Sequence, residues 1–111
     1  GQMMLNKGSL NGVQILSRKS VEYMTRNQLN NIDTENWGGS TNIKQGFGWR
    51  IVDYNHNIVS KGTFKHEGAG ASGFYIDPTE NFIAVYFVPT KDVWTAEGVF
   101  GTLGVAWAGI K

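Results

Sequence analysis

The sequence predicts an α+β domain in which helices flank an antiparallel sheet. Between residues 63 and 88, three runs of strand-forming residues alternate with short turns rich in Gly, Pro and Asn, which is the pattern of an antiparallel meander. The chain has 15 glycines among 111 residues, and this share favours sheet and turns over a helical bundle. A chain of this length is expected to form one domain around a single core.

Two short helices are predicted before the sheet. Residues 2–6 have a helical composition and are followed by Gly8, a residue type that commonly follows a helix C-terminus. We therefore expect the last turns of a helix there. Ser17 is the expected N-cap of a second helix that runs over residues 18–26 and buries Val21 and Met24.

The region between the second helix and the meander is mostly polar. Residues 28–45 are rich in Asn, Thr and Gly and predict a long loop whose amides exchange faster than those of the strands. Residues 46–54 alternate, which predicts a strand with Phe47, Trp49 and Ile51 on one face. A turn at residues 55–57 is expected to lead into a short return strand at Ile58 and Val59.

The meander itself is predicted to contain strands at residues 63–66, 72–77 and 82–88. The last of these begins with Phe82, ends with Val88 and contains only apolar residues, so we expect it to be covered on both faces in a complete sheet. At a sheet edge, it would be a template for self-association.

The stretch after the meander predicts a C-terminal helix packed on the sheet, beginning at Asp92 and extending to about Ile110. Apolar residues recur there at helical spacing. They are Ala96, Val99, Phe100, Leu103, Ala106, Trp107 and Ile110. Four glycines fall inside this helix, and close packing on the sheet is the expected reason for them.

Composition excludes several classes of partner. The net charge is +1 and there is no basic cluster, which argues against nucleic acid or an anionic membrane as a partner. The absence of cysteine excludes disulfides and thiol chemistry. His56, His66, Glu67 and Asp53 have no spacing typical of a metal site, so no metal and no cofactor are predicted.

Four motifs carry a family resemblance. They are His66-Glu67-Gly68-Ala69, the segment from Gly73 to Pro78, Gly46-Phe47-Gly48-Trp49, and the passage over residues 1–25. Together they resemble the C-terminal part of the serine β-lactamase and penicillin-binding-protein superfamily, and within it the class C β-lactamase, D-alanyl-D-alanine carboxypeptidase and esterase group. The resemblance implies that residues 1–111 are the C-terminal part of a larger catalytic domain, whose N-terminal part is the expected partner. It also implies an extracytoplasmic parent protein, although a cytoplasmic one is not excluded.

The resemblance locates a site on the meander. Members of the group use a serine three residues before a lysine, a Tyr-x-Asn or Ser-x-Asn element, and a Lys/His-Thr/Ser-Gly strand. This chain has neither of the first two and carries only the third, as His66-Glu67-Gly68. By resemblance, His66 faces a substrate carboxylate and the Ala69 N–H contributes to an oxyanion hole. Glu67 replaces the usual hydroxyl residue, and we expect its charge to repel such a carboxylate.

Other interpretations of the same residues stay open. His66 is equally compatible with an ordinary strand histidine, and Gly68, Gly70 and Gly73 with a tight turn or bulge. Ser72 lies near the predicted site but has no base at a defined spacing. The sequence therefore predicts part of a serine hydrolase for β-lactam, D-Ala-D-Ala peptide or ester substrates. The alternatives are a non-catalytic module that binds a peptide or cell-wall ligand, and a structural segment that assembles with its missing half.

Overall fold

The computed structural model describes residues 1–30, 32, 43–54, 58–87 and 100–111. Within them, the helices are α1 (Gln2–Leu5), α2 (Arg18–Met24) and α3 (Gly101–Ala108). The strands are β1 (Ser9–Leu10), β2 (Val13–Gln14), β3 (Arg50–Ile51), β4 (Phe64–Gly68), β5 (Ser72–Asp77) and β6 (Phe82–Tyr86). None of the described helices is long and apolar enough to cross a membrane.

The main sheet is a four-stranded antiparallel meander in the order β3-β4-β5-β6. The strand β5 has the predicted bounds, and β4 extends beyond the prediction to Gly68. Phe74 lies opposite His66 on β4 and Val85 on β6. The predicted α+β class and the meander are confirmed.

One face of the sheet packs against α1 and α2. The buried residues of this cluster are Met4, Val21, Phe64 and Ile76. Trp49 adds edge-on contacts, with ring centroids 5.2 Å from Phe64 and 5.5 Å from Phe74. The predicted N-cap of α2 is also confirmed, because the Ser20 amide donates to Ser17 Oγ at 3.0 Å.

The opposite face packs against α3. Leu103 and Trp107 are buried there against Tyr75, and the Trp107 and Phe82 rings meet edge to face at 4.9 Å. The predicted packing of the C-terminal helix is confirmed over these residues, but Phe100 is exposed. The predicted start of the helix, with Asp92, Ala96 and Val99, lies outside the described residues. We call the two sides the α1/α2 face and the α3 face.

The explanation expected for the helix glycines is wrong at Gly104. A Cβ atom added there would meet no atom within 4 Å, so this residue is not required for close packing on the sheet. Its absent side chain instead leaves part of an open groove beside Trp107 and Ile110.

A buried carboxylate joins the sheet to α3 and to the loop before β4. Asp77 is 0% exposed, and its Oδ2 accepts from Trp107 Nε1 at 2.8 Å and from the Ser60 amide at 3.1 Å. Its Oδ1 accepts from the Thr79 and Glu80 amides at 3.0 and 3.2 Å. Burial by itself raises the pKa of Asp77, but these hydrogen bonds outweigh it and hold the pKa below its ordinary value.

The strand predicted over residues 46–54 is mostly a turn. Gly48 has φ +76° and the Gly46 amide donates to the Trp49 carbonyl at 2.7 Å, so regular pairing is confined to β3. Phe47 therefore leaves the sheet face and packs on Tyr23 with a centroid distance of 5.4 Å. Only Trp49 and Ile51 of the predicted face join the core.

The return strand predicted at Ile58 and Val59 is absent from the described residues. Strand β3 pairs directly with β4, and the chain returns through a loop in which the Gly62 amide donates to the Val52 carbonyl at 2.7 Å. Val59 is apolar because its side chain is buried in the core on the α3 face, and not because it belongs to a strand.

The expected cover on both faces of the last strand is also absent within the described chain. Strand β6 is an edge of the sheet as described, and Val85 and Phe87 are 70% and 81% exposed. Val88 lies outside the described residues. Most of the predicted loop, including Trp37, and the predicted turn with His56 also lie outside the described residues. The expectations for these two segments remain predictions.

We predict that Asp77→Asn lowers the free energy of unfolding by about 2–4 kcal/mol. An amide has one acceptor oxygen, so its NH₂ group would face N–H donors. The measurement is urea denaturation at neutral pH. Asp53→Asn, at an exposed carboxylate 4.0 Å from Lys44, is the control and should change stability by less than about 0.5 kcal/mol. Equal effects of the two changes would contradict the network.

The lowered pKa of Asp77 also predicts a pH dependence. The contribution of this carboxylate is present above the ordinary aspartate pKa of about 3.9 and is lost as the pH falls through its lower value in the folded chain. The stability difference between the wild type and Asp77→Asn should therefore shrink below about pH 4. A difference that stays constant down to about pH 2 would argue against this assignment.

We predict that the chain self-associates through β6 and that Val85→Lys weakens this association, because a charge on an exposed edge strand opposes pairing. Val85 is exposed, so the change should leave the unfolding free energy within about 0.5 kcal/mol. Sedimentation at increasing concentration measures the effect. Val105→Lys, at a valine of α3 that is 75% exposed, is the matched control. Equal association of the two variants would refute pairing through β6.

Candidate functional site

The hairpin between β4 and β5 contains the predicted site residues. Its loop has three residues, and the Ala71 amide donates to the Gly68 carbonyl at 3.1 Å. Ala71 adopts a left-handed conformation with φ +58°, which is the third position of a common three-residue hairpin loop. The Ala71 side chain is buried on the α3 face. Gly68 and Gly70 are thus part of a tight turn, which is one of the interpretations that the sequence left open.

Gly73 makes room for an aromatic side chain. A Cβ atom at this position would lie 2.6 Å from Tyr75 Cε2, so the tyrosine ring occupies the space beside the glycine. The ring is 1% exposed, and its hydroxyl donates to the Glu67 carboxylate. This glycine is therefore required by the conformation of Tyr75.

Glu67 belongs to a polar cluster on the α3 face. Its Oε1 lies 2.8 Å from Lys65 Nζ, and this ammonium lies 5.4 Å from the centroid of the Tyr75 ring. Burial raises the pKa of Tyr75, and the hydrogen bond and negative charge of Glu67 raise it further. We call these three residues the Lys65–Glu67–Tyr75 cluster. It connects β4 to β5 next to the hairpin loop.

His66 lies on the other side of the sheet. Successive residues of a strand face opposite sides, and the cross-strand neighbour of His66 is Phe74, which packs on the α1/α2 face. The imidazole is exposed, and its Nδ1 lies 3.2 Å from the Gly48 carbonyl oxygen. The structure therefore separates the side chains of His66 and Glu67. The charge of Glu67 is directed to Lys65 and Tyr75, whereas the expected repulsion required it to face a substrate.

The outer edge of β4 is open along part of its length. Strand β3 pairs only with Phe64 and Lys65, so residues 66–68 have no neighbouring strand on this side within the described chain. Ala69 continues this edge, and its N–H has no partner among the described residues. Unpaired backbone donors and acceptors at a sheet edge can bind an extended chain or a carbonyl group. We call residues 66–69 the open edge.

Among the described residues, no serine hydroxyl contacts a lysine or a histidine that could act as its base. Ser72 lies opposite Gly68 in the hairpin, and neither a lysine nor a histidine of the described part contacts its hydroxyl. Nor does that part of the chain contain a group of three or more His, Asp or Glu residues that could hold a metal ion.

Sequence reasoning missed the Lys65–Glu67–Tyr75 cluster. A local signal existed, because Lys65 and Glu67 are two residues apart in a predicted strand and must share a face. The role of Tyr75 needed the register between β4 and β5, in which Lys65 lies opposite Tyr75 and Glu67 opposite Gly73.

We predict that Tyr75→Phe lowers the free energy of unfolding by about 1–2 kcal/mol near neutral pH, because it deletes the hydrogen bond to Glu67. The raised pKa of Tyr75 means that this contribution is present below the ordinary tyrosine pKa of about 10 and is lost as the pH rises further. The difference from the wild type should therefore shrink above about pH 10.

Denaturation of the two proteins at several pH values provides the measurement. The control is Tyr86→Phe, which makes the same change on the same face, opposite Gly73. A loss of stability for Tyr86→Phe as large as that for Tyr75→Phe would contradict a specific role of the cluster.

Comparisons with known proteins agree with this geometry at the level of fold. No protein-family model matches the sequence, and no curated protein matches it significantly. Among solved structures, the crystal structure of a family VIII carboxylesterase matches 99% of this chain with a TM-score of 0.71 and 19% sequence identity. The chain spans 29% of that esterase chain. The described structure therefore has the fold of a segment of a carboxylesterase, as the resemblance to the esterase group predicted.

Proposed function

We propose that this chain forms one wall of the active site of a β-lactamase-related serine hydrolase, and that the open edge binds the acyl part of the substrate. The observation that carries the proposal is the outer edge of β4 over residues 66–69, which no described strand covers and which lies beside the exposed His66. Such an edge offers fixed N–H donors where a reacting carbonyl would acquire negative charge.

Each residue of the open edge has a proposed role. The Ala69 N–H is the donor for the carbonyl oxygen, and its position is fixed because the Gly68 carbonyl closes the hairpin loop by accepting from Ala71. The His66 ring contacts a second polar group of the ligand. The Lys65–Glu67–Tyr75 cluster stabilises the hairpin from the α3 face, so Glu67 acts through the conformation of the loop and does not contact the substrate.

The proposed nucleophile and base belong to a segment outside these 111 residues. The sequence contains no Ser-x-x-Lys and no Tyr-x-Asn, and a serine requires an adjacent base to act as a nucleophile. The likeness to 29% of an esterase chain is consistent with a catalytic domain of which this chain is one part. The same likeness to a carboxylesterase favours esters as the substrate class over β-lactams and D-Ala-D-Ala peptides.

A second candidate is a binding module without catalysis. The same open edge could add an extended peptide as a further strand, and no nucleophile and base meet in the described residues. The two functions differ in whether a serine is acylated when this chain is combined with a Ser-x-x-Lys segment. Peptide binding without acylation of that assembly would favour the module.

We predict that the 111-residue chain alone forms no covalent adduct with a p-nitrophenyl ester or a fluorescent penicillin, as measured by intact mass. In a protein that joins this chain to a Ser-x-x-Lys segment, the serine should be acylated. There, His66→Ala should lower kcat/KM about tenfold or more, in line with the loss of one positioned polar contact.

His56→Ala is the matched control, because it removes the chain's other histidine, which the resemblance does not assign to the site. Its kcat/KM should stay close to that of the unmodified protein. Stoichiometric acylation of the isolated chain would overturn the proposal. So would equal and negligible effects of the two histidine substitutions.

A further inference from the structure

The contact between His66 and Gly48 determines which ring nitrogen carries the proton. Nδ1 lies 3.2 Å from the Gly48 carbonyl oxygen, and a carbonyl oxygen accepts hydrogen bonds but donates none. Nδ1 must therefore be the donor. In the neutral imidazole the other nitrogen, Nε2, then has a lone pair and acts as an acceptor.

The surroundings of the ring leave Nε2 available to a ligand. His66 is exposed, and its cross-strand neighbours on the same face, Phe74 and then Val85, are uncharged. The charged residues of β4, Lys65 and Glu67, lie on the α3 face and pair with each other. Arg50 lies opposite Lys65 and shares that face. The described strands thus place no charged side chain beside His66 that would compete with a ligand for Nε2.

The ring is anchored toward the outer side of β4. Gly48 lies two residues before the start of β3, which is the neighbour of β4 on that side. Gly48 itself adopts a left-handed conformation, with φ +76°, in the turn that positions its carbonyl. A Cβ atom at Gly48 would meet no atom within 4 Å, so the requirement for glycine there is conformational and not steric.

We propose that His66 is a specificity-determining residue of the open edge. Because its Nδ1 donates to the Gly48 carbonyl, the neutral ring presents Nε2 as an acceptor and selects uncharged acyl ligands that carry a hydroxyl or N–H donor near the carbonyl. The carbonyl oxygen of the ligand accepts from the Ala69 N–H, and its donor group binds Nε2. A carboxylate in place of the donor group is disfavoured, because its oxygens would face the lone pair of the imidazole. This proposal rests on the ligand site proposed above.

The first test measures the tautomer by long-range ¹H–¹⁵N correlation of the imidazole rings under mildly alkaline conditions, where histidine is neutral. His66 should show a protonated Nδ1 and a bare Nε2. His56 serves as the reference in the same spectrum, and His56→Gln assigns the signals. A protonated Nε2 on His66 would overturn the proposal whether or not the parent protein is a hydrolase.

Two substitutions at Gly48 connect the tautomer to the turn. Gly48→Val should shift the ring toward the Nε2–H form, because a β-branched residue disfavours a positive φ. Gly48→Asn should keep the wild-type tautomer, since asparagine tolerates this conformation. Gly62→Val is the control at another open glycine, with φ +95°, and should not change the His66 signals. A tautomer that responds to all three changes alike would contradict the assignment to Gly48.

The second test compares three small probes on the intact chain by following the Ala69 amide and the His66 ring in NMR titrations. Ethyl lactate has an ester carbonyl and a hydroxyl, ethyl propionate lacks the hydroxyl, and monoethyl malonate keeps the ester but carries a carboxylate in place of the hydroxyl. We expect ethyl lactate to bind about tenfold or more tighter than the other two, the size of one hydrogen bond's effect on affinity, and His66→Ala to abolish the difference.

Tighter binding of monoethyl malonate than of ethyl lactate would overturn the proposed selectivity. Absence of binding by all three probes would refute the ligand site and with it this proposal. The ring-nitrogen spectrum separates that failure from an error in the tautomer.

Discussion

The carboxylate of Asp77 links the sheet to α3 and to the loop before β4. It is fully buried and accepts four hydrogen bonds, from the β5–β6 turn, from the loop before β4 and from the indole of α3. Moving a charge into the interior costs several kcal/mol, and the cost is offset only where the charge has a full set of partners. Because every partner is an N–H donor, the site requires an acceptor at all four positions, and an ionised carboxylate satisfies this requirement.

The position of Asp77 explains how the sheet supports the open edge. The carboxylate fixes the last residue of β5, and the register of β5 aligns β4 on one side and β6 on the other. At the other end of the same strand, Gly73 and Tyr75 hold Glu67 and the hairpin loop. A central strand that is fixed at both ends by polar contacts holds the outer half of β4 in place without a neighbouring strand there. In this account, the proposed ligand site depends on polar groups that do not themselves contact the ligand.

The sequence predicted the elements that are bounded by local signals. The bounds of β5 followed from the turns on either side, and the start of α2 followed from Ser17. The errors have a common physical cause, since they concern residues whose partners are distant in the chain. The role of Asp77 could not be predicted, because its partners Trp107 and Ser60 are 30 and 17 residues away in the chain. The alternation over residues 46–54 predicted a regular strand and gave no sign that Gly48 is left-handed. The Gly48 carbonyl contacts His66 only when β3 and β4 are paired.

Native-state hydrogen exchange tests the central claim most directly. If the Asp77 network holds α3 and the loop before β4 on the sheet, the Trp107 indole N–H and the amides of Ser60, Thr79 and Glu80 exchange only through global unfolding. Their free energies of exchange should then equal those of the β5 amides, for example Ile76. Exchange of the indole and the Ser60 amide at a much lower free energy, while Ile76 stays protected, would contradict the account, because the sheet would then persist without the network.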